Sequence, residues 1–134
     1  MAEGSSNIVC TIAPWLSVRR SAEAVEFYKS AFGAIEAYRL DGGEKGVVAR
    51  LSVDGAEFWV AEESPEHGNS SPKSLNGSSV RMILTVADPD AVFARARSAG
   101  ASEVFPVSEG HGWRIGRVVD PYGHHWEIGR PLTG

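Results

Sequence analysis

Cysteine is almost missing from this chain: Cys10 stands alone, so no intrachain disulfide can staple the fold. It sits in an apolar run, which predicts a buried, inert thiol rather than a nucleophile. No apolar run approaches the roughly 20 residues of a membrane-crossing helix, which argues against a membrane partner. Met1–Asn7 is small and polar and lacks the apolar stretch of a secretion signal. Together these absences predict a cytoplasmic protein with a frayed N-terminal tail. A strong charge of one sign is missing too. A net charge of −4 leaves no basic stripe of the kind that nucleic acid requires. The G-x-S-x-G elbow, the phosphate loop and H-E-x-x-H are all absent. Asp41-Gly42-Gly43 and Gly110-His111-Gly112 are too short and poorly placed to cradle a nucleotide. Glu62-Glu63 reads as a solvated strand end, and Arg95 and Arg97 read as the wet face of a helix.

What is present is an ordinary globular composition on a chain of 134 residues, enough for one domain with a real core. The most informative feature is an internal repeat. Val18–Val25 is echoed by Val86–Phe93 at an offset of 68 residues. Ser30-Ala31-Phe32-Gly33-Ala34 returns, one residue shorter, as Ser98-Ala99-Gly100-Ala101. Val53-Asp54-Gly55 returns as Val119-Asp120-Pro121-Tyr122-Gly123, and Phe58-Trp59-Val60 as Trp126-Glu127-Ile128. Matches in one order near one offset indicate two copies of one supersecondary unit.

Each copy reads as strand, helix and three strands. Ile8–Val18 is apolar and rich in β-formers. Ser21 is a plausible N-cap. Ala24, Val25, Tyr28, Ala31 and Phe32 share one helical face, and Gly33 is a natural stop. In the second copy Asp88 caps, Pro89 takes the first helical position and Gly100 ends the helix. Strand-like runs follow at 34–40, 46–53 and 57–61, and again at 103–107, 114–119 and 124–128. Asp41-Gly42-Gly43 and Asp54-Gly55 read as hairpin turns. The copies span about 8–61 and 80–130. Between them the polar segment 62–79 reads as a mobile linker, with a lid as the sharper alternative and with His67 solvated.

These residues resemble the vicinal oxygen chelate superfamily, which includes glyoxalase I, extradiol dioxygenases, fosfomycin-resistance enzymes and bleomycin-binding proteins. The resemblance covers about Ile8 to Ile128. It rests on Val18 through Glu26-Phe27-Tyr28 to Phe32-Gly33-Ala34, on Arg114, and on Asp120-Pro121-Tyr122-Gly123-His124-His125-Trp126-Glu127. It implies an α+β fold in which two βαβββ modules curve mixed sheets around a cleft. It also implies a homodimer, because modules in many members pair across chains.

The resemblance further implies where a metal would be held: Ala13, Trp59, Arg81 and Glu127. Ala13 to Arg81 and Trp59 to Glu127 both span the 68-residue repeat. Ala13 has no donor atom, the Trp59 indole N–H cannot ligate, and Arg81 is permanently cationic. Only Glu127 is a ligand type, so no metal and no other cofactor is expected. A shifted site built on His125 and Glu127 would lack further ligands, whereas an Arg81–Glu127 pair would leave a polar anchor. Strand alternation places Ala13, Trp15 and Ser17, then Arg81, Ile83 and Thr85, then His125 and Glu127 toward the cleft.

The expected ligand-binding set is therefore Trp15, Trp59, Arg81, Trp113, Arg114, His125 and Glu127. The tryptophans suit aromatic or conjugated ligands through stacking, and basic ones through cation–π attraction. Arg114 could grip a carboxylate or phosphate, or equally pair with the Asp120 turn. His111 sits on a rim loop. His124 reads as a turn or surface residue. No catalytic residue stands out, His125 and Glu127 being the weak candidates. Three functions follow: a metal-free binder of a small organic, antibiotic-like molecule; a metal-dependent lyase, isomerase or dioxygenase with a rearranged site; and an interaction module with a vestigial cleft.

Overall fold

The computed structural model describes residues 7–133, so most of the expected N-terminal tail, Met1–Ser6, lies outside the described residues. The chain order is β1 (Trp15–Val18), α1 (Ser21–Phe32), β2 (Ile35–Asp41), β3 (Val47–Val53) and β4 (Ala56–Glu62). The short helix α2 (Pro72–Leu75) follows. Then come β5 (Arg81–Thr85), α3 (Pro89–Ala99), β6 (Ser102–Gly110), β7 (Trp113–Val119) and β8 (His125–Pro131). The strands form two four-stranded mixed sheets with orders β1-β4-β3-β2 and β5-β8-β7-β6. In each, the first and last strands run parallel and the others antiparallel. Trp15 pairs with Trp59 and Ile83 with Glu127, and both partners shift by the same 68 residues between sheets. This is the α+β fold of duplicated βαβββ units.

The first strand is shorter than the apolar run suggests. Residues 7–12 are exposed, and Cys10 is exposed rather than buried. The backbone contact that Pro14 retains is its carbonyl, which accepts from Trp59 N–H at 2.8 Å. An apolar sequence becomes a strand only where a neighbouring edge satisfies its amides, and among the described residues 7–13 have no such edge.

Helix α1 buries the predicted face, with Ala24, Val25, Tyr28 and Ala31 fully enclosed. Its start differs from expectation. Arg20 is the cap residue, in a left-handed conformation (φ 61°) and with no side-chain cap bond. Ser21 is the first helical residue. The cap comes from the end of β4: Glu62 accepts from Ser21 N–H at 2.8 Å, from Ser21 Oγ at 2.8 Å and from Arg20 N–H at 3.2 Å. Gly46 (φ 79°) closes the same corner, since a Cβ there would lie 2.5 Å from Ser21 Oγ. Glu62 is thus a remote helix cap and not a solvated strand end. Helix α3 follows its sequence signals: Asp88 accepts from Ala91 N–H at 3.2 Å, with Pro89 next and Gly100 closing the helix.

The two units share one core. Trp126 of β8 lies 5.6 Å from Tyr28 and 4.6 Å from Phe32 of α1, centroid to centroid. Asp120, buried at the β7–β8 turn, accepts from the Tyr28 hydroxyl, from Trp126 Nε1 at 3.0 Å, and from Tyr122 and His124 N–H at 2.9 Å. Burial beside this carboxylate pushes the Tyr28 phenol well above its ordinary range. His124 is buried too, against expectation. Its Nε2 lies 2.9 Å from the Ser17 carbonyl across the unit boundary, and since a carbonyl only accepts, that nitrogen carries the proton. Arg95 is not on a free wet face either, for it donates to the Ser30 carbonyl at 2.7 Å and so ties α3 to the last turn of α1.

The segment after β4 is anchored at several points. Glu63 accepts from Ser71 N–H at 2.8 Å, from Ser74 Oγ at 2.7 Å and from Arg19 Nε at 3.2 Å, and Ser71 and Pro72 are buried. These donors, the Ser71 amide foremost, hold the Glu63 carboxyl down at about 2. His67 is exposed, as expected. No helix among the described residues is long and apolar enough to cross a membrane.

Candidate functional site

Alternation along each strand sends one set of side chains under the helices and the other onto the opposite sheet face. In β8, Trp126 and Ile128 are core while His125 and Glu127 face away. In β5, Met82 and Leu84 pack against the core, and Arg81 and Ile83 face away, Ile83 being 54% exposed. In β1, Leu16 and Val18 are buried while Trp15 is 50% exposed.

The helix-free face of the second sheet holds a hollow of about 480 Å³ lined by Arg81, Ile83, Gly110, His111, Trp113, Ile115 and Glu127. At its floor Glu127 is the anchor, with a side chain only 12% exposed. Its Oε2 meets Arg81 Nε at 2.8 Å, Arg117 Nε at 3.1 Å and, closer still, Arg117 Nη2. Arg117 pairs with Glu127 in the β7–β8 register, and its guanidinium lies 5.4 Å from the Phe105 ring centre. A smaller polar hollow beside it is lined by Ser78, Ser79, Arg81, Arg117 and His125. His125 Nδ1 is buried there without a hydrogen-bond partner.

The first sheet presents an aromatic wall. Trp15 and Trp59 stack at 5.7 Å with planes 22° apart, and Tyr38 meets Trp59 edge-on at 5.9 Å. Arg50 lies 5.6 Å over the Trp59 ring and opposite it in register. Its Nε is buried without a hydrogen bond, with Glu57 no nearer than 3.7 Å. Ala13, Arg50, Glu57 and Trp59 line a separate hollow of about 310 Å³.

The structure therefore divides the expected residues. Arg81, Trp113 and Glu127 come together, with His125 adjacent; Trp15 and Trp59 come together elsewhere. Arg114 joins neither group. It points to the helix side of β7 and forms a two-pronged pair with Asp90 of α3, at 2.7 and 2.6 Å, instead of reaching the Asp120 turn. That pairing holds the Asp90 carboxyl below its usual range. His111 stands at the β6–β7 turn with φ 54° and lines the larger hollow.

Arg117, Arg50 and Tyr38 were not legible as site residues. A signal existed for the arginines: Arg117 precedes Glu127 across a hairpin much as Arg50 precedes Trp59. The repeat pairs these arginines at an offset of 67 rather than 68, so a single-offset comparison passes over them.

The positions at which the fold family would hold a metal do not fit one. Ala13 and Trp59 lie on the first sheet's side and offer no ligating atom, while Arg81 places a cation directly on the one carboxylate, Glu127. Among the described residues no three His, Cys, Asp or Glu side chains cluster closely enough to share an ion.

Comparison with known proteins agrees with the fold. The family model described as Glyoxalase/Bleomycin resistance protein/Dioxygenase superfamily matches residues 9–128. The uncharacterized protein Rv0887c of Mycobacterium tuberculosis is 39% identical over 131 residues, covering 94% of this chain and 77% of that protein. The X-ray structure of the Arabidopsis thaliana gene product At5g48480 is 36% identical with a TM-score of 0.68, covering 90% of this chain and 96% of that one. TnmS3, an antibiotic binding protein from Streptomyces sp. CB03234, has a TM-score of 0.65 over 93% of this chain and 99% of its own. At 20% identity that likeness speaks for the fold alone. With the same strand order in both units and a family match along nearly its whole length, the chain belongs to the glyoxalase/bleomycin resistance protein/dioxygenase superfamily.

Proposed function

We propose that this protein binds a small organic molecule, aromatic and antibiotic-like, without a catalytic metal. The observation that carries this reading is the chemistry at the four family metal positions, where a methyl, an indole and a guanidinium stand beside a single carboxylate that is already ion-paired. Exposed aromatic and apolar side chains on both helix-free faces supply the stacking surface such a ligand needs. Trp15, Trp59, Arg81, Trp113, His125 and Glu127 form the binding set, extended by Arg117 and Tyr38.

The aromatic wall and the Glu127 hollow belong to different sheets, and Trp59 lines a cavity separate from that of Glu127. A homodimer, in which the wall of one copy closes over the hollow of the other, would make one cleft from the two. The family match and the antibiotic-binding function of TnmS3 support the ligand class. The protein then acts in the cytoplasm as a sequestering dimer.

The alternative reading, a divalent-metal-dependent lyase, isomerase or dioxygenase with a rearranged site, draws on one feature. The buried, unpartnered His125 Nδ1 lies two residues from Glu127. Elemental analysis of protein purified without chelator separates the two. No stoichiometric metal is expected, and tightly held nickel, manganese, zinc or iron overturns the binding-only reading. Native mass spectrometry against compound mixtures should retain a ligand on a dimer. Trp59→Ala should weaken ligand-induced quenching of tryptophan fluorescence about tenfold, the loss of one desolvated aromatic contact. Unchanged affinity removes Trp59 from the site.

A further inference from the structure

The charge arrangement in the Glu127 hollow narrows the ligand class, and this step rests on the small-molecule reading above. Two guanidiniums, Arg81 and Arg117, share one carboxylate, and their contacts converge on a single oxygen, Oε2. The cluster therefore holds one positive charge in excess. Among the described residues no other acidic group offsets it. Glu109 faces Arg114 at 3.5 Å, Asp90 is also held by Arg114, and Asp120 is buried among Tyr28, Trp126 and its own turn. His125 and His111, the remaining titratable groups beside the two hollows, can add positive charge but not negative. The rest of the larger hollow is apolar, built of Ile83, Ile115 and Trp113.

A neutral ligand sealing this hollow would strip water from an unbalanced cation and give nothing back, and a basic ligand would add repulsion. A carboxylate would neutralise it. Arg81 is well placed to receive one. Its side chain is 55% exposed, it lines the hollow, and its closest approach to Glu127 is through Nε, so its terminal nitrogens can turn to meet a ligand carboxylate. Arg117 is held in place by Glu127 and by the face of Phe105, so its charge is fixed beside them. The first sheet adds no excess of acid, for Arg50 with its unpartnered Nε balances Glu57.

We infer that the ligand is an aromatic or conjugated carboxylate whose acid group docks on Arg81, with Arg117 supplying the second positive charge and Glu127 positioning both. Basic ligands, which the tryptophans alone would admit, are excluded by the same charge.

The test uses the full chain and a panel of aromatic carboxylates, among them 2-naphthoate, quinoline-2-carboxylate and cinnamate, each against its own primary amide. Binding is read by tryptophan quenching and calorimetry at low and high salt. The acids should bind about tenfold or more tighter than their amides, the margin typical of a hydrogen bond to a charged group. That margin should shrink as salt rises. Arg81→Gln should erase the preference while leaving amide affinity in place. Arg81 is exposed enough for the fold to tolerate the change; Arg117→Lys, which keeps the charge and loses the fork, should retain part of the preference. Glu127→Gln keeps an amide oxygen to position the two guanidiniums but removes the competing charge, and should tighten the acids without affecting the amides. Acids and amides binding equally, a preference that survives Arg81→Gln, or loss of acid binding in Glu127→Gln each overturns the inference while leaving the small-molecule reading standing. Retention of no member of the panel, acid or amide, removes that reading and this one with it.

Discussion

The two halves of this molecule share a backbone plan and differ in what they put on it. Both have the strand order first, last, third, second, and both set the first strand parallel to the last. Yet where the first half carries Trp59 stacked on Trp15 and met edge-on by Tyr38, the second carries Glu127 between two arginines. The helix-facing sides differ less, since both contribute apolar side chains to a single core. Burial constrains the helix side of a duplicated sheet, and the open side is free to change chemistry. The comparison also locates the fold's weak points, which are the few polar groups that tie one half to the other.

The strongest way to break the comparison is to cut that tie. Asp120 belongs to the second half, but it satisfies the Tyr28 hydroxyl of the first and the Trp126 indole of the second. Asp120→Ala would strand both donors and two amides in the core. We expect a loss of about 3–5 kcal/mol in urea-monitored unfolding, from several buried polar groups left without partners. A loss under 1 kcal/mol would show that the tie between the halves does not depend on Asp120. Next in size is a direct exchange between equivalent positions. Gly116 and Ala49 are neighbours of Arg117 and Arg50, and each lies beneath a helix. A Cβ on Gly116 would come within 2.8 Å of Val107 N and 2.9 Å of Phe93. Gly116→Ala should cost about 1–3 kcal/mol through overpacking. The reverse change, Ala49→Gly, should cost about 1 kcal/mol, because it opens only a methyl-sized gap and loosens the strand. Equal costs would mean that the helices approach the two sheets equally closely.

Much of the architecture was legible before the structure. The repeat offset, the buried face of α1 and the Asp88-Pro89 start of α3 are local signals, and each survives folding because periodicity and capping act over a few residues. The capping of α1 was not legible. It depends on Glu62, 41 residues away from Ser21, brought close by sheet pairing. Burial of His124 and exposure of Cys10 were misread for the same reason, since both depend on which edge or turn the chain meets elsewhere. At the site, alternation placed Arg81 and Glu127 on one face, and the structure joins them at 2.8 Å. Alternation did not reveal that Trp15 and Trp59 lie apart from the Glu127 hollow, because facing inward on a sheet does not say which sheet lies opposite.

The two helix starts sharpen the comparison at smaller scale. Asp88 caps α3 from within its own sequence, whereas Glu62 caps α1 from across the sheet and takes up two amides and a hydroxyl. Asp88→Ala should cost about 1 kcal/mol, the ordinary loss of a cap. Glu62→Ala should cost more, toward about 2 kcal/mol, because the Ser21 hydroxyl also loses its acceptor. If Asp88 is the costlier of the two, the remote cap contributes little.

The smallest effect is a dependence on pH, and it separates the segment joining the halves from the halves themselves. Glu63 is held at about 2 by the Ser71 amide, Ser74 and Arg19, against an ordinary value of 4.5. A carboxyl whose value is depressed by folding stabilises the folded state most when ionised in both states. That contribution is complete above about pH 4.5 and disappears as pH falls toward about 2. Wild-type protein should therefore lose stability across this window more steeply than Glu63→Gln, measured as the midpoint of urea unfolding at a series of pH values. The two curves should run parallel at neutral pH, offset by the lost charge-assisted bonds, and converge in acid. The change should also leave the Trp15–Trp59 stack and the Glu127 hollow untouched, since Glu63 reaches neither. Parallel curves throughout would mean that other carboxylates dominate the acid limb, and that the joining segment is held by Ser71 and Pro72 burial rather than by its carboxylate.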